Sequence, residues 1–205
     1  MKLRTSFRTT CLLLTGLMLG ACASTRPVME WRDEGFSGQL NHILVIAALD
    51  KVTQRHSIED GYVEALTAIP VTAVPSYTLM DSDLELSRET VEAAIAGQGF
   101  DGVLVTRLLG VEEVEEYQPP VTYDHYRSYH RYYQRSLDYS SPGYYRKYKI
   151  LTLETNLYDT ATQELIWSMQ SETIDASAPQ DVIEAQIKLT IERLTRGGLI
   201  AAKPS

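Results

Sequence analysis

The run Ile43-Leu44-Val45-Ile46-Ala47-Ala48-Leu49 is apolar throughout, rich in β-branched residues, and closed at both ends by polar side chains. It suits a strand buried on both faces. A strand of that kind needs cover on each side, which points to a sheet with helices packed against it.

The elements that follow agree with this. After Ser57, placed three residues ahead of Asp60 in a capping-box pattern, Ile58, Tyr62, Ala65, Leu66 and Ile69 share one helical stripe. Val71 to Tyr77 reads as a short strand that Pro75 restricts to a place near an edge. Ser87 opens a helix with Val91, Ala94 and Ile95 inward, and Gly97 and Gly99 are placed to end it. Asp101 to Glu115 starts with Val103-Leu104-Val105 and predicts a central strand. Alternation in Leu151, Leu153, Thr155 and Leu157, and again in Leu165, Trp167, Met169, Ser171 and Thr173, predicts a hairpin that turns at Asp159 to Gln163. Ser177 and Pro179 open a last helix, with Ile183, Ile187, Ile191 and Leu194 on one side and Gly197-Gly198 at its end. The order β-α-β-α-β, insertion, β-β-α predicts an α/β fold, a mixed-sheet sandwich over residues 41–200.

The first 22 residues carry a different message. Lys2, Arg4 and Arg8 precede an apolar run from Cys11 to Leu19 that is too short for a permanent span, and Leu19-Gly20-Ala21-Cys22 closes it. This resembles the signal peptide and lipobox of bacterial lipoproteins. The resemblance implies cleavage before Cys22, acylation of its thiol, and membrane attachment through the lipid. Ala23 stands where an aspartate would retain the protein at the inner membrane, so the expected address is the periplasmic face of the outer membrane. Cys11 would be discarded with the signal, leaving no internal disulfide. Loss of Lys2, Arg4 and Arg8 with no acidic residue takes the net charge from −8 to −11, which argues against general binding of polyanions, nucleic acid included. Residues 22–40 mix Ser, Thr, Arg, Pro and Gly without sustained period and read as a lipidated tether, with Trp31 and Phe36 as candidates to dock on the domain.

Residues 117–148 set the chain apart. They hold Tyr117, Tyr123, Tyr126, Tyr129, Tyr132, Tyr133, Tyr139, Tyr144, Tyr145 and Tyr148, ten of its 13 tyrosines. Arg127, Arg131, Arg135, Arg146 and Lys147 against Asp124 and Asp138 make the segment basic within an acidic chain. Interleaved Tyr and Arg present flat apolar faces with polar tips, suited to sugar rings, lipid headgroups or a protein partner. Tyr123, Tyr126, Arg127, Tyr129, Tyr132 and Tyr133 are the candidate binding residues. A helix from Thr122 to Leu137 would align several of these tyrosines on one stripe, while Pro119, Pro120, Pro142 and Gly143 punctuate its ends.

The lipobox, the Arg55 to Asp60 helical segment, the strand entry Phe100-Asp101-Gly102-Val103-Leu104-Val105, and Leu157-Tyr158-Asp159-Thr160 with Leu165-Ile166-Trp167 together resemble a family of proteobacterial outer-membrane lipoproteins. That family is similar in layout to the periplasmic domain of the curli-secretion channel lipoprotein, the TolB amino-terminal domain and the lipoprotein activators of penicillin-binding proteins. The resemblance implies non-catalytic work in assembly, export or protein docking, often as an oligomer. No run here alternates over the length that a membrane barrel needs.

Enzymatic chemistry finds little support. The chain lacks a Gly-rich phosphate loop and a Gly-x-Ser-x-Gly elbow, and the mature chain has no cysteine nucleophile. His125 and His130 beside Asp124 are a weak metal pattern, and the Glu112, Glu113, Glu115 and Glu116 run reads as a solvated strand end. Glu154 and Asp159 show no partner base in the sequence. The expectation is a lipoprotein without catalysis or cofactor. Its partners would be the membrane through Cys22 and an envelope protein or a second copy. A peptidoglycan or polysaccharide ligand is the alternative.

Overall fold

The computed structural model describes residues 24–80, 87–119, 143–176 and 178–202. Six strands form one mixed sheet: β1 (Ser24–Arg32), β2 (His42–Ala48), β3 (Thr72–Pro75), β4 (Gly102–Gln118), β5 (Tyr144–Asp159) and β6 (Leu165–Ile174), in spatial order β1-β6-β5-β4-β2-β3. Strands β3, β2 and β4 are parallel to one another, and β4, β5, β6 and β1 pair antiparallel. Among the described residues three helices complete the α/β fold expected from the sequence: α1 (Val52–Thr67), α2 (Arg88–Ile95) and α3 (Pro179–Arg196).

β2 sits where its composition demands, with Ile43, Leu44, Val45, Ile46 and Ala47 all buried. Alternate side chains go to opposite layers. Ile43, Val45 and Ala47 join Tyr62 and Leu66 of α1, Ile187 and Leu194 of α3, and Leu104, Leu157, Trp167 and Met169 of the sheet in the larger core. Leu44 and Ile46 join Phe100 and Val103 in a smaller core, which α2 closes with Val91 and Ile95. Thus α1 and α3 cover one face, and α2 covers part of the other. At Gly61 an added Cβ would come within 2.5 Å of Ile187 Cδ1, so glycine lets α1 and α3 approach.

Local signals account for most boundaries. Ser87 caps α2 in a box with Thr90, and Gly97 and Gly99 leave it at φ +71 and +76, as left-handed exits do. The Asp101 carboxylate accepts the Asn41 and His42 backbone N–H groups at 2.8 and 2.9 Å, binding the start of β4 to the start of β2. Asp159 Oδ2 accepts the Thr162 backbone N–H at 2.9 Å and its hydroxyl at 2.8 Å, folding the β5–β6 turn. β3 is a short edge strand that runs into a 3-10 turn at Ser76–Thr78.

Three expectations need correction. α1 begins at Val52, five residues before Ser57, and its N-cap Lys51 makes no side-chain bond. Glu59 takes part in fixing it, because its buried carboxylate accepts Ala47 N–H at 2.9 Å, Ser76 Oγ–H at 2.8 Å and Tyr77 N–H at 3.2 Å. Tertiary bonds therefore replace the expected cap. The last helix has Ala178 at its N-cap, with Asp181 accepting the Ala178 N–H at 3.0 Å; Ser177 lies outside the described residues.

The third correction concerns the tether. Within residues 22–40, Ser24–Arg32 forms β1, the edge strand on β6. Thr25 bonds Thr173 at 2.8 Å, and Arg26 pairs with Glu172 at 3.0 Å. An edge strand needs only one partner, so polar residues and Pro27, which has no N–H, are tolerated, and a register shift follows at Pro27/Met29. That composition hides the alternation. Phe36 packs on the larger core as expected, while Trp31 is 47% exposed.

Candidate functional site

β4 and β5 outrun the sheet. β2 leaves β4 at Arg107, and β6 leaves β5 at Ile150, whereas the β4–β5 ladder continues from Glu112↔Ile150 to Gln118↔Tyr144. A two-stranded ribbon has no core of its own, so its cross-strand side chains must hold it.

They do so in ordered rows. Register and alternation place Glu113, Glu115 and Tyr117 on one ribbon face, opposite Lys149, Lys147 and Tyr145. Glu113 pairs with Lys149 at 3.0 Å, Glu115 pairs with Lys147 at 3.4 Å, and the Tyr117 and Tyr145 rings lie 5.2 Å apart at 53°. On the other face Glu116 stands opposite Arg146, whose guanidinium lies 5.6 Å from the Tyr148 ring centre and bonds Asp175 at 2.6 Å. The bond to Asp175, with that carboxylate's charge behind it, pushes the Arg146 pKa up. The acidic run thus has a basic mirror image across the ribbon. The last two rows, Tyr117↔Tyr145 and Gln118↔Tyr144, carry no charge. Tyr117, Tyr144 and Tyr145 are 52%, 62% and 65% exposed.

The residues singled out from the sequence fall differently. Cys22, Tyr123, Tyr126, Arg127, Tyr129, Tyr132 and Tyr133 lie outside the described residues, as do His125, His130 and the expected helix from Thr122 to Leu137. Of the Tyr-rich segment 117–148, Tyr117, Gln118 and Tyr144 to Tyr148 belong to β4 and β5 and are ladder rather than insertion. The missed feature is the ribbon. Its signal was present in the sequence, as an acidic run before the insertion and a basic run after it at matching separations.

Polar side chains elsewhere form framework. Between α1, α3 and the sheet, Tyr62 OH bonds Thr190 at 2.9 Å, Thr106 bonds Thr155 at 3.0 Å, and Gln186 donates to Thr155 at 3.1 Å and accepts from Ser171. All six side chains are buried. Burial pushes the Tyr62 hydroxyl pKa up, against the bonds from Thr106 and Thr190, so it stays protonated.

Glu154 lies on the face that α2 leaves open. It accepts from Arg107 at 2.6 Å, from Asn156 at 3.2 Å and from Gln170 at 3.2 Å. Burial opposes its ionisation most strongly, but these bonds and the Arg107 charge together outweigh it and hold the carboxyl below the usual range. Glu154 is therefore a fixed anion.

Among the described residues, cavities adjoin the body of the sheet. One, of about 540 Å³, lies under α2 against Ile46, Val91, Val103 and Tyr158. Another, of about 510 Å³, is framed by Ile58, Val111, Leu151, Leu153 and Val182 at the ribbon base. Both are mainly apolar. Among the described residues no group of three or more His, Cys, Asp or Glu could hold a metal ion, and no helix is long and apolar enough to cross a membrane.

The class of protein defined by this fold is a mixed-sheet α/β sandwich bearing a charged, tyrosine-tipped ribbon. No family model and no curated protein matches the sequence, so neither supports the likeness to the curli-secretion, TolB or activator lipoproteins that the sequence motifs led us to expect. Among solved structures it is similar to the PelC dodecamer from Paraburkholderia phytofirmans. There the identity is 9%, with 88% of this chain and 99% of that chain covered, at a TM-score of 0.45. A point variant of that protein gives 11% identity, coverage of 84% and 97%, and the same TM-score of 0.45. Lipoprotein GNA1162 from Neisseria meningitidis gives 13% identity, coverage of 76% and 99%, and a TM-score of 0.41.

Proposed function

We propose that this chain is a non-catalytic lipoprotein of the bacterial envelope, anchored through Cys22 at the periplasmic face of the outer membrane. It acts in assembly, export or protein docking, with the β4–β5 ribbon and the insertion between those strands as its recognition arm. The observation that carries this reading is the ribbon itself. Strands that leave the sheet bury little apolar surface, yet this pair is pinned by the Glu113–Lys149 and Glu115–Lys147 ion pairs and ends in three exposed tyrosines. Such a form holds rigid aromatic side chains out to a partner at small entropic cost. The buried hydroxyl and amide groups bond one another away from solvent, as a framework does.

The test is to delete residues 118–145 from the lipidated protein and cross-link it in its own membrane, with light scattering on the purified form. The reading requires that a specific cross-linked envelope protein, or the self-assembled state, disappears on deletion. If both persist unchanged, the ribbon is not the docking arm. A glycan reading draws on the tilted Tyr117–Tyr145 pair and its exposed ring faces. It requires that the protein sediment with purified sacculi, and that Tyr117→Ala with Tyr145→Ala release it.

A further inference from the structure

The ribbon and the start of β1 leave the sheet at the same end. Ser24 pairs with Ile174, Ile174 with Ile150, and Ile150 with Glu112, one row across four strands. Beyond that row β4 and β5 run on alone to Gln118 and Tyr144, a further ~20 Å at about 3.4 Å per residue. Only Ala23 stands between Ser24 and Cys22. Two Cα steps of about 3.8 Å reach no farther than ~8 Å.

Measured along the strands, Cys22 is thus held within ~8 Å of the row where the ribbon begins; across the sheet Ser24 stands two strand spacings, ~10 Å, from Ile150, and the ribbon tip lies ~20 Å past that row. The headgroup layer of one leaflet is about 5–7 Å deep. The tether is too short to hold the ribbon clear of the bilayer. Turning the ribbon away would drive the body of the sheet toward the lipid instead.

The chemistry along the ribbon fits that placement. Acidic and basic side chains face each other in three rows, Glu113 with Lys149, Glu115 with Lys147 and Glu116 with Arg146, and Glu112 opposite Ile150 leaves one acidic residue in excess. The two end rows hold Tyr117, Tyr145, Tyr144 and Gln118, without charge. Exposed tyrosines with polar tips favour the boundary between headgroups and acyl chains. Paired charge with one acidic residue in excess calls for no anionic lipid.

We infer that Tyr117, Tyr144 and Tyr145 rest in the headgroup layer of the leaflet that carries the Cys22 lipid. This rests on the anchored reading proposed above and deepens it, naming the bilayer as the first partner of the arm. The ribbon then fixes the tilt of the domain, and a docking partner is met at the membrane surface.

The test uses the full lipidated protein in vesicles of phosphatidylethanolamine with brominated acyl chains. Acylated Cys22 leaves no free thiol, so an environment-sensitive dye can be placed at Gln118→Cys or, in the β5–β6 turn at the opposite end, at Ala161→Cys. The expected result is a blue-shifted dye at position 118, quenched several-fold more strongly than the dye at 161. Replacing Tyr117, Tyr144 and Tyr145 by Ser should weaken that quenching while circular dichroism stays unchanged. An acylated protein whose two dyes behave alike overturns the inference and leaves the anchor standing. A Cys22 peptide whose mass shows no acyl group overturns both.

Discussion

The body of the sheet and its ribbon are built from the same two strands, yet obey different rules. In the body, Leu104 faces Leu157 and Thr106 faces Thr155, all fully buried, and each pair is set by what the helices above require. In the ribbon, Glu113 faces Lys149 and Tyr117 faces Tyr145, exposed, and each pair is set by its cross-strand partner alone. One ladder changes from core packing to paired charge and then to aromatic contact along its length. Stability lives in the first part, and surface chemistry is held out by the last.

That contrast can be broken at several points. Leu157→Ala, in the larger core, should remove about 2–5 kcal/mol through lost transfer and a residual cavity, read as a fall in the denaturant midpoint. Gln186→Ala leaves the buried Thr155 and Ser171 hydroxyls short of a partner and should cost about 1–3 kcal/mol by the same measurement. If Gln186→Ala were neutral, the buried polar network would not be part of the framework.

Glu154→Gln should cost about 1–2 kcal/mol at neutral pH, because the Arg107 guanidinium loses its anion. The Glu154 carboxyl titrates lower in the folded chain than in the unfolded one. The stability it adds is complete above the ordinary carboxylate value of about 4.3 and is lost as pH falls through its lower folded value. The difference between wild type and Glu154→Gln should therefore shrink in acid. A difference that grows there would assign the carboxyl the opposite shift.

The smallest effects belong to the ribbon. Glu113→Lys should change stability by less than about 1 kcal/mol, as exposed pairs do, and adding Lys149→Glu should restore what is lost. A larger loss, or failure of the double exchange to restore it, would mean that the ribbon is part of the cooperative core. The comparison would then collapse.

The sandwich was legible because its signals are local. Ile43 to Ala47, the Ser87 box, Gly97 and Gly99, the Asp159 turn and the alternation to Thr173 each state their role within a few residues. β1 was not, because an edge strand beside only β6 places weak demands on sequence, and Thr25 and Arg26 make sense only opposite Thr173 and Glu172. The start of α1 was missed for a related reason. Glu59, which helps fix that helix, bonds groups on β2 and the turn after β3, and no helix-end signal records it.

By itself the sequence determined the α/β class, the buried strand, the two capped or turned junctions at Ser87 and Asp159, and the concentration of tyrosine between two strands. Only the tertiary structure decided that β1 closes the sheet, that Glu113 to Glu116 face Arg146 to Lys149, and that the first described residue and the ribbon share one end. The physical reason is range. Periodicity, caps and turns are read over a few residues, whereas strand register is a relation between segments far apart in the chain, settled by what each side chain finds opposite.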